Sequence, residues 1–96
     1  MNLRLVQFSL GPGKRTDAES IANKIVPAIR SQPGCDRAEF FADYDADDYG
    51  IVVLWKSKEQ ANAAASVIAP MVTAALAQAK GTGDSRHLFE VYEPKS

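Results

Sequence analysis

The stretch Tyr49-Gly50-Ile51-Val52-Val53-Leu54-Trp55-Lys56-Ser57-Lys58-Glu59-Gln60 decides the fold. Ile51 to Trp55 form an unbroken apolar run, mostly β-branched or aromatic, and a run this short reads as a strand. It is apolar at odd and even positions alike, so the sheet built on it must be covered on both faces. Ser57, followed three positions later by Gln60, is a capping-box pattern that opens a helix directly after the strand.

Towards the N-terminus, Leu3 to Leu10 reads as a first strand, with Val6, Phe8 and Leu10 on one face and Leu3 and Leu5 on the other. Gly11-Pro12-Gly13 ends it as a turn. A phosphate loop is excluded, because the later glycine and the Lys-Ser/Thr pair are missing. Thr16 is the expected N-cap of a first helix, with Asp17 in its first turn and Glu19 completing the box. Ala18, Ile21, Ala22, Ile25 and Ile29 give that helix one apolar stripe, and Pro27 predicts a kink. Cys35 to Asp43 predicts a second strand, polar enough for a sheet edge, joined to the central strand by the acidic hairpin Tyr44 to Asp48.

Towards the C-terminus, an alanine-rich segment predicts helix from Lys58 and permits close approach of a partner layer. Pro70 is expected to divide it into two helices, with Gly81 and Gly83 as the stop. Arg86 to Tyr92 reads as the last strand. The order β-α-β-β-α-β, with the second helix split at Pro70, predicts one α+β domain over residues 1–96. Its arrangement is ferredoxin-like, a four-stranded antiparallel sheet with both helices on one face. That leaves Leu3, Leu5 and alternate residues of the third and last strands uncovered. A second copy of the chain, paired through a two-fold interface, is the economical cover.

Hydrophobic residues make up 46% and charged residues 24%, a globular and not a disordered balance. With 11 basic and 12 acidic residues the net charge is −1, which carries no footprint for nucleic acid or an anionic membrane. The single cysteine, Cys35, rules out an intrachain disulfide and reads as a buried thiol suited to a reducing compartment. The N-terminus lacks a signal-peptide pattern, and no continuous apolar run approaches the roughly 20 residues of a membrane span. A cytoplasmic location is expected. No metal is expected either. One His and one Cys cannot build a zinc site, and Asp43, Asp45, Asp47 and Asp48 lack the Gly and terminal Glu of a calcium loop.

Three pieces point to a family: Gln32-Pro33-Gly34-Cys35 after the first helix, Trp55-Lys56-Ser57-Lys58-Glu59 at the strand-to-helix junction, and Phe89-Glu90-Val91-Tyr92-Glu93 in the last strand. With them the chain resembles the antibiotic biosynthesis monooxygenase-like family of the dimeric α/β-barrel superfamily over nearly its whole length. The resemblance implies a dimeric barrel and a pocket between sheet and helices, with the strand tryptophan as a wall. It spans cofactor-less oxygenation of anthrones and quinols as well as haem degradation. The latter is implied to need a helix histidine. The only histidine here is His87, on the last strand, so haem degradation is set aside.

Cofactor-less oxygenation asks for an aromatic wall, a base or acceptor, and a cation or donor that stabilises an anion. The catalytic candidates are Trp55, His87 and Arg86. Tyr44, Tyr49 and Phe8 are the candidates for holding an aromatic substrate. Arg86 and His87 are neighbours on a strand and point to opposite faces, so only one of them can line a given pocket. Each candidate also has a structural reading: Trp55 as a core anchor, His87 as a surface or packed group, Arg86 as the ion-pair partner of Glu39 or Glu90 at the dimer interface. Two functions follow as expectations. One is a cofactor-independent monooxygenase acting on a small electron-rich aromatic of phenol, quinol or anthrone type. The other is a non-catalytic dimeric module that binds a small ligand or a partner. The space beside Trp55 separates them: an open apolar cavity with convergent polar groups favours the enzyme, a filled one the module.

Overall fold

The computed structural model describes residues 1–95, and for residues 82–84 the backbone alone. The elements are β1 (Asn2–Ser9), α1 (Arg15–Arg30), β2 (Cys35–Asp43), β3 (Asp48–Trp55), α2 (Lys58–Gln78) and β4 (Thr82–Glu90). The four strands form one antiparallel sheet in the order β2-β3-β1-β4, with β2 at an edge as its polarity predicts. This is the expected ferredoxin-like α+β fold.

Strand parity sorts the side chains. Tyr49, Ile51, Val53 and Trp55 of β3 are buried on the inner face. There they meet Ile21, Ile25 and Ile29 of α1 and Ile68, Val72 and Leu76 of α2. Val52 and Leu54 point the other way and are only half-buried. The register sets Leu5 opposite Val52 and Leu3 opposite Leu54, with Phe89 beside Leu3. The outer face is therefore an apolar layer that the single chain leaves partly exposed. Phe41, on the edge strand, lays its ring over Gly50 of β3.

The strand-to-helix junction forms as the capping pattern requires. Ser57 is extended, and its hydroxyl accepts the Gln60 amide N–H at 3.1 Å. The Lys56 amide donates to the Gly34 carbonyl at 2.9 Å, which ties the Gln32-Pro33-Gly34-Cys35 turn to the start of α2. Gly34 has φ +85°, and the Gln60 side chain fills the space a Cβ would need.

Several local expectations are corrected. The first helix begins at Arg15, so Thr16 lies inside it; the flanking residue is Lys14, which makes no side-chain cap bond. The turn of positive-φ Gly11 and Gly13 delivers the chain into the helix early, and Lys14–Asp17 and Arg15–Glu19 ion pairs stand at its start. Helix α1 contains Pro27 as expected, whereas α2 runs unbroken through Pro70 rather than as two helices. Both prolines are exposed, so the carbonyls they leave unbonded sit on the solvent side, where water satisfies them. The left-handed position that closes α2 belongs to Lys80, with φ 56°, and not to a glycine. Gly81 N–H reaches the Leu76 carbonyl and Lys80 N–H the Ala77 carbonyl, a Schellman pattern. Gly83 falls within β4, which starts earlier than Arg86. Helix α2 is also long and apolar enough to cross a membrane by length and composition, which the run-length reading had ruled out. In this fold its buried stripe of Ala61, Ala64, Ile68, Val72 and Leu76 lies against the sheet.

Gly50 is the position where this sheet tolerates no side chain. A Cβ there would strike the Phe41 ring and stand 2.6 Å from the Val6 carbonyl, which is backbone and cannot swing away. Gly50→Ala is expected to lower unfolding stability by about 1–3 kcal/mol despite alanine's better strand entropy. Urea unfolding followed by circular dichroism checks this.

Candidate active site

A cavity of about 80 Å³ lies between α2 and the inner face of the sheet. It exists because α2 presents alanine there. Ala61, Ala64, Ala65 and Ala69 line it where larger aliphatic residues would close it. The sheet contributes Val6, Ile51, Val53, Trp55 and two cations, Arg4 of β1 and Arg86 of β4, and Ile29 of α1 with Ile68 and Val72 of α2 complete the wall. Ile51, Val53, Trp55, Ala61 and Ala64 are buried, Arg4, Ala65 and Ala69 are half-buried, and Arg86 is exposed. The blind end is thus the tryptophan side, and the mouth lies at the arginines.

Trp55 is 3% exposed, and its Nε1 is buried without a hydrogen-bond partner among the described residues. A buried donor left without an acceptor costs about 1–3 kcal/mol. Its position follows from parity, since Trp55 closes the inner-face series of β3, and from the Ser57 cap, which turns the chain into α2 immediately afterwards. The guanidinium of Arg4 donates from Nη2 to the Asn62 amide oxygen at 3.4 Å. Burial, and then the charge of Arg86, lower the pKa of Arg4 from its ordinary value. Arg86 donates from Nη2 to the Ala69 carbonyl at 3.4 Å and to the Thr73 hydroxyl at 3.3 Å.

Of the sequence candidates, the structure brings Trp55 and Arg86 to one cavity. His87 lies on the other face of the sheet, exposed and stacked on Phe89 with ring centroids 5.8 Å apart. Phe8 and Tyr49 are in the core, not on the cavity wall. They stack at 6.0 Å, and Phe40 joins them at 6.2 and 6.3 Å. Tyr44 packs edge-on against Tyr49 under the Arg15 guanidinium, 4.2 Å from the ring centre. These aromatics hold the hairpin end of the sheet to α1, and none borders the cavity. Arg86 bridges to α2, and Glu39 pairs with Arg37 within the chain. Sequence reasoning missed Arg4, although its parity was legible: it shares the face of Val6 and Phe8. It also read the alanines of α2 as permitting close approach, whereas here they leave space.

Among the described residues no group of three or more His, Cys, Asp or Glu side chains is placed to hold a metal ion. The acidic hairpin is occupied with its own turn: Asp43 accepts the Ala46 amide and Asp48 the Ser9 hydroxyl. Cys35 is half-buried rather than buried, and that partial burial pushes its thiol up, so it carries no nucleophile's signature.

The arrangement has the shape of a known group of proteins. SnoaB, a cofactor-independent oxygenase from Streptomyces nogalater, superimposes with a TM-score of 0.77 at 19% identity, over 97% of this chain and 94% of that one. A protein from Deinococcus radiodurans gives 0.82 at 16% identity over 100% and 97%. A MhuD mutant, solved with two manganese protoporphyrin IX molecules per active site, gives 0.72 at 21% identity over 100% and 99%. At these identities the likeness is one of fold. No curated protein gives a significant sequence match. The family model for antibiotic biosynthesis monooxygenase matches residues 1–82, and the chain belongs to the antibiotic biosynthesis monooxygenase family.

Proposed function

We propose that this protein is a cofactor-independent monooxygenase acting on a small electron-rich aromatic, and that it works as a homodimer paired through the outer face of the sheet. One observation carries the enzymatic reading: Trp55, whose buried indole N–H has no acceptor among the described residues, lines an apolar cavity whose mouth is cationic. A phenol or quinol oxygen supplies the acceptor, and the ring supplies the apolar contact.

The chemistry asks little of the protein. A phenol and dioxygen yield a quinone and water, so the substrate itself provides the electrons. Its anion forms a C–O bond to oxygen, and the hydroperoxide then loses the ring hydrogen and breaks its O–O bond as water leaves. The protein's share is to favour the anion. Among the described residues lining the cavity there is no His, Asp or Glu, so the phenolic proton is passed to water. The Trp55 N–H donates to the phenolate oxygen, and Arg86 favours the anion from the mouth through its charge. His87, on the opposite face, has no part in this step within its own subunit. The cavity is smaller than the roughly 150 Å³ apolar void that accepts benzene in a well-studied case. The reading therefore favours a single ring over a polycycle, with the half-buried mouth yielding to admit it.

The test is oxygen consumption with a panel of monocyclic phenols and hydroquinones. The wild type is expected to turn over at least one of them above the uncatalysed rate. Trp55→Phe keeps the wall but removes the donor, and is expected to lose about tenfold or more in kcat/KM. Ala65→Leu fills the cavity and is expected to abolish turnover while circular dichroism stays native. The missing base favours a second reading, a ligand-binding module. Quenching of Trp55 fluorescence by these compounds without oxygen uptake by the wild type would establish it.

The dimer reading rests on the partly covered outer layer of Leu3, Leu5, Val52, Leu54 and Phe89. Sedimentation equilibrium is expected to give twice the 10.4 kDa chain mass. Leu54→Lys is expected to sediment as a folded monomer at the same concentration.

A further inference from the structure

Arg4 lies opposite Leu88, and Arg86 opposite Val6, on adjacent strands of the inner face. This diagonal pairing sets their Cα atoms about 7–8 Å apart. Their side chains fan out along α2, Arg4 to Asn62 and Arg86 to Ala69 and Thr73. Asn62 and Ala69 are two helical turns apart, about 10 Å along the axis. Ala65, at the mouth, stands between them. The two guanidiniums thus bracket the open side of the cavity. Among the described residues Arg4 makes no salt bridge, and the two charges oppose one another. A neutral phenol is served by one donor and one cation. A second cation at the rim fits a ligand that carries a fixed negative charge at its outer end.

We infer that the cavity selects small aryl acids, with the ring against Trp55 and a carboxylate seated at the mouth between Arg4 and Arg86. The inference rests on the proposed aromatic cavity and narrows it to one class, of which a hydroxybenzoate is the simplest oxidisable member. Guanidinium is suited to this role, because its planar fork gives charge-assisted bonds to both carboxylate oxygens. An anion between the two also relieves their mutual repulsion. The buried indole then faces the ring end of the ligand, and the charge never leaves the solvated rim, where desolvation costs least.

The experiment is a titration of the intact protein with benzoate, benzamide and phenol at low salt, read by the fluorescence of Trp55, the single tryptophan. Benzoate is expected to bind at least tenfold tighter than benzamide. Arg4→Gln and Arg86→Gln are each expected to bring that ratio below about threefold by weakening benzoate far more than benzamide. Thermal melts check that both variants fold. If Arg86→Gln does not, Arg4→Gln decides alone, with Arg4→Lys expected to restore part of the preference. Equal binding of all three compounds overturns the anion selection and leaves the aromatic cavity standing, as does a preference for benzoate that survives both substitutions. No binding of any compound by the folded wild type overturns the cavity's aromatic role and the selection with it.

Discussion

The bond from Lys56 N–H to the Gly34 carbonyl, 2.9 Å long, holds two distant pieces of sequence in one corner. On one side is the turn that leads from α1 into the edge strand. On the other is the point where the central strand ends and α2 begins. Gly34 accepts the arrangement because its φ of +85° is open to glycine and because Gln60 occupies the space beside it. Ser57 caps the helix in the same corner. The direction in which α2 leaves the sheet is set here, one residue after Trp55. The tilt of that helix decides whether its alanines lie over the inner face, and so whether a cavity exists.

The sheet separates two tasks by parity. Even-numbered residues of β3 and odd-numbered residues of β1 form the outer apolar layer, and the opposite series faces the helices. A one-residue slip would exchange the series and send Arg4 and Trp55 outward. Phe41 over Gly50 at the edge and the aromatic group of Phe8, Phe40 and Tyr49 at the hairpin end help to fix the register. The cavity therefore stands on strands whose register is fixed by packing, with α2 as its other wall.

Much of this was legible in the residues. The apolar run of β3, the capping pair Ser57 and Gln60, and the polar edge strand gave the element order and the two-sided sheet. The family pieces around Gly34 and Trp55 turn out to touch, which accounts physically for their occurring together. Pro70 was misread for a physical reason. A helix interior tolerates proline when the carbonyl it frees faces water, and exposure is a tertiary property that local sequence does not state. The site was half legible. Trp55 and Arg86 were found by residue type and the strand argument, and the divergence of Arg86 from His87 followed from parity alone. Tyr44, Tyr49 and Phe8 were grouped with the pocket because they are aromatic, but which end of a sheet an aromatic occupies depends on cross-strand register. Arg4 escaped notice because one charge in an apolar strand looks like a surface group until the register places it beside Arg86.

The central claim is that Trp55 offers an otherwise unbonded N–H to an aromatic ligand inside the cavity. With one tryptophan in the chain, a proton–nitrogen correlation spectrum contains one indole resonance. Titrating 4-hydroxybenzoate into the labelled protein should move that resonance downfield and slow its exchange with solvent as the N–H gains an acceptor. A 4-hydroxybenzoate complex that shifts other amides and leaves the indole resonance in place would contradict the account.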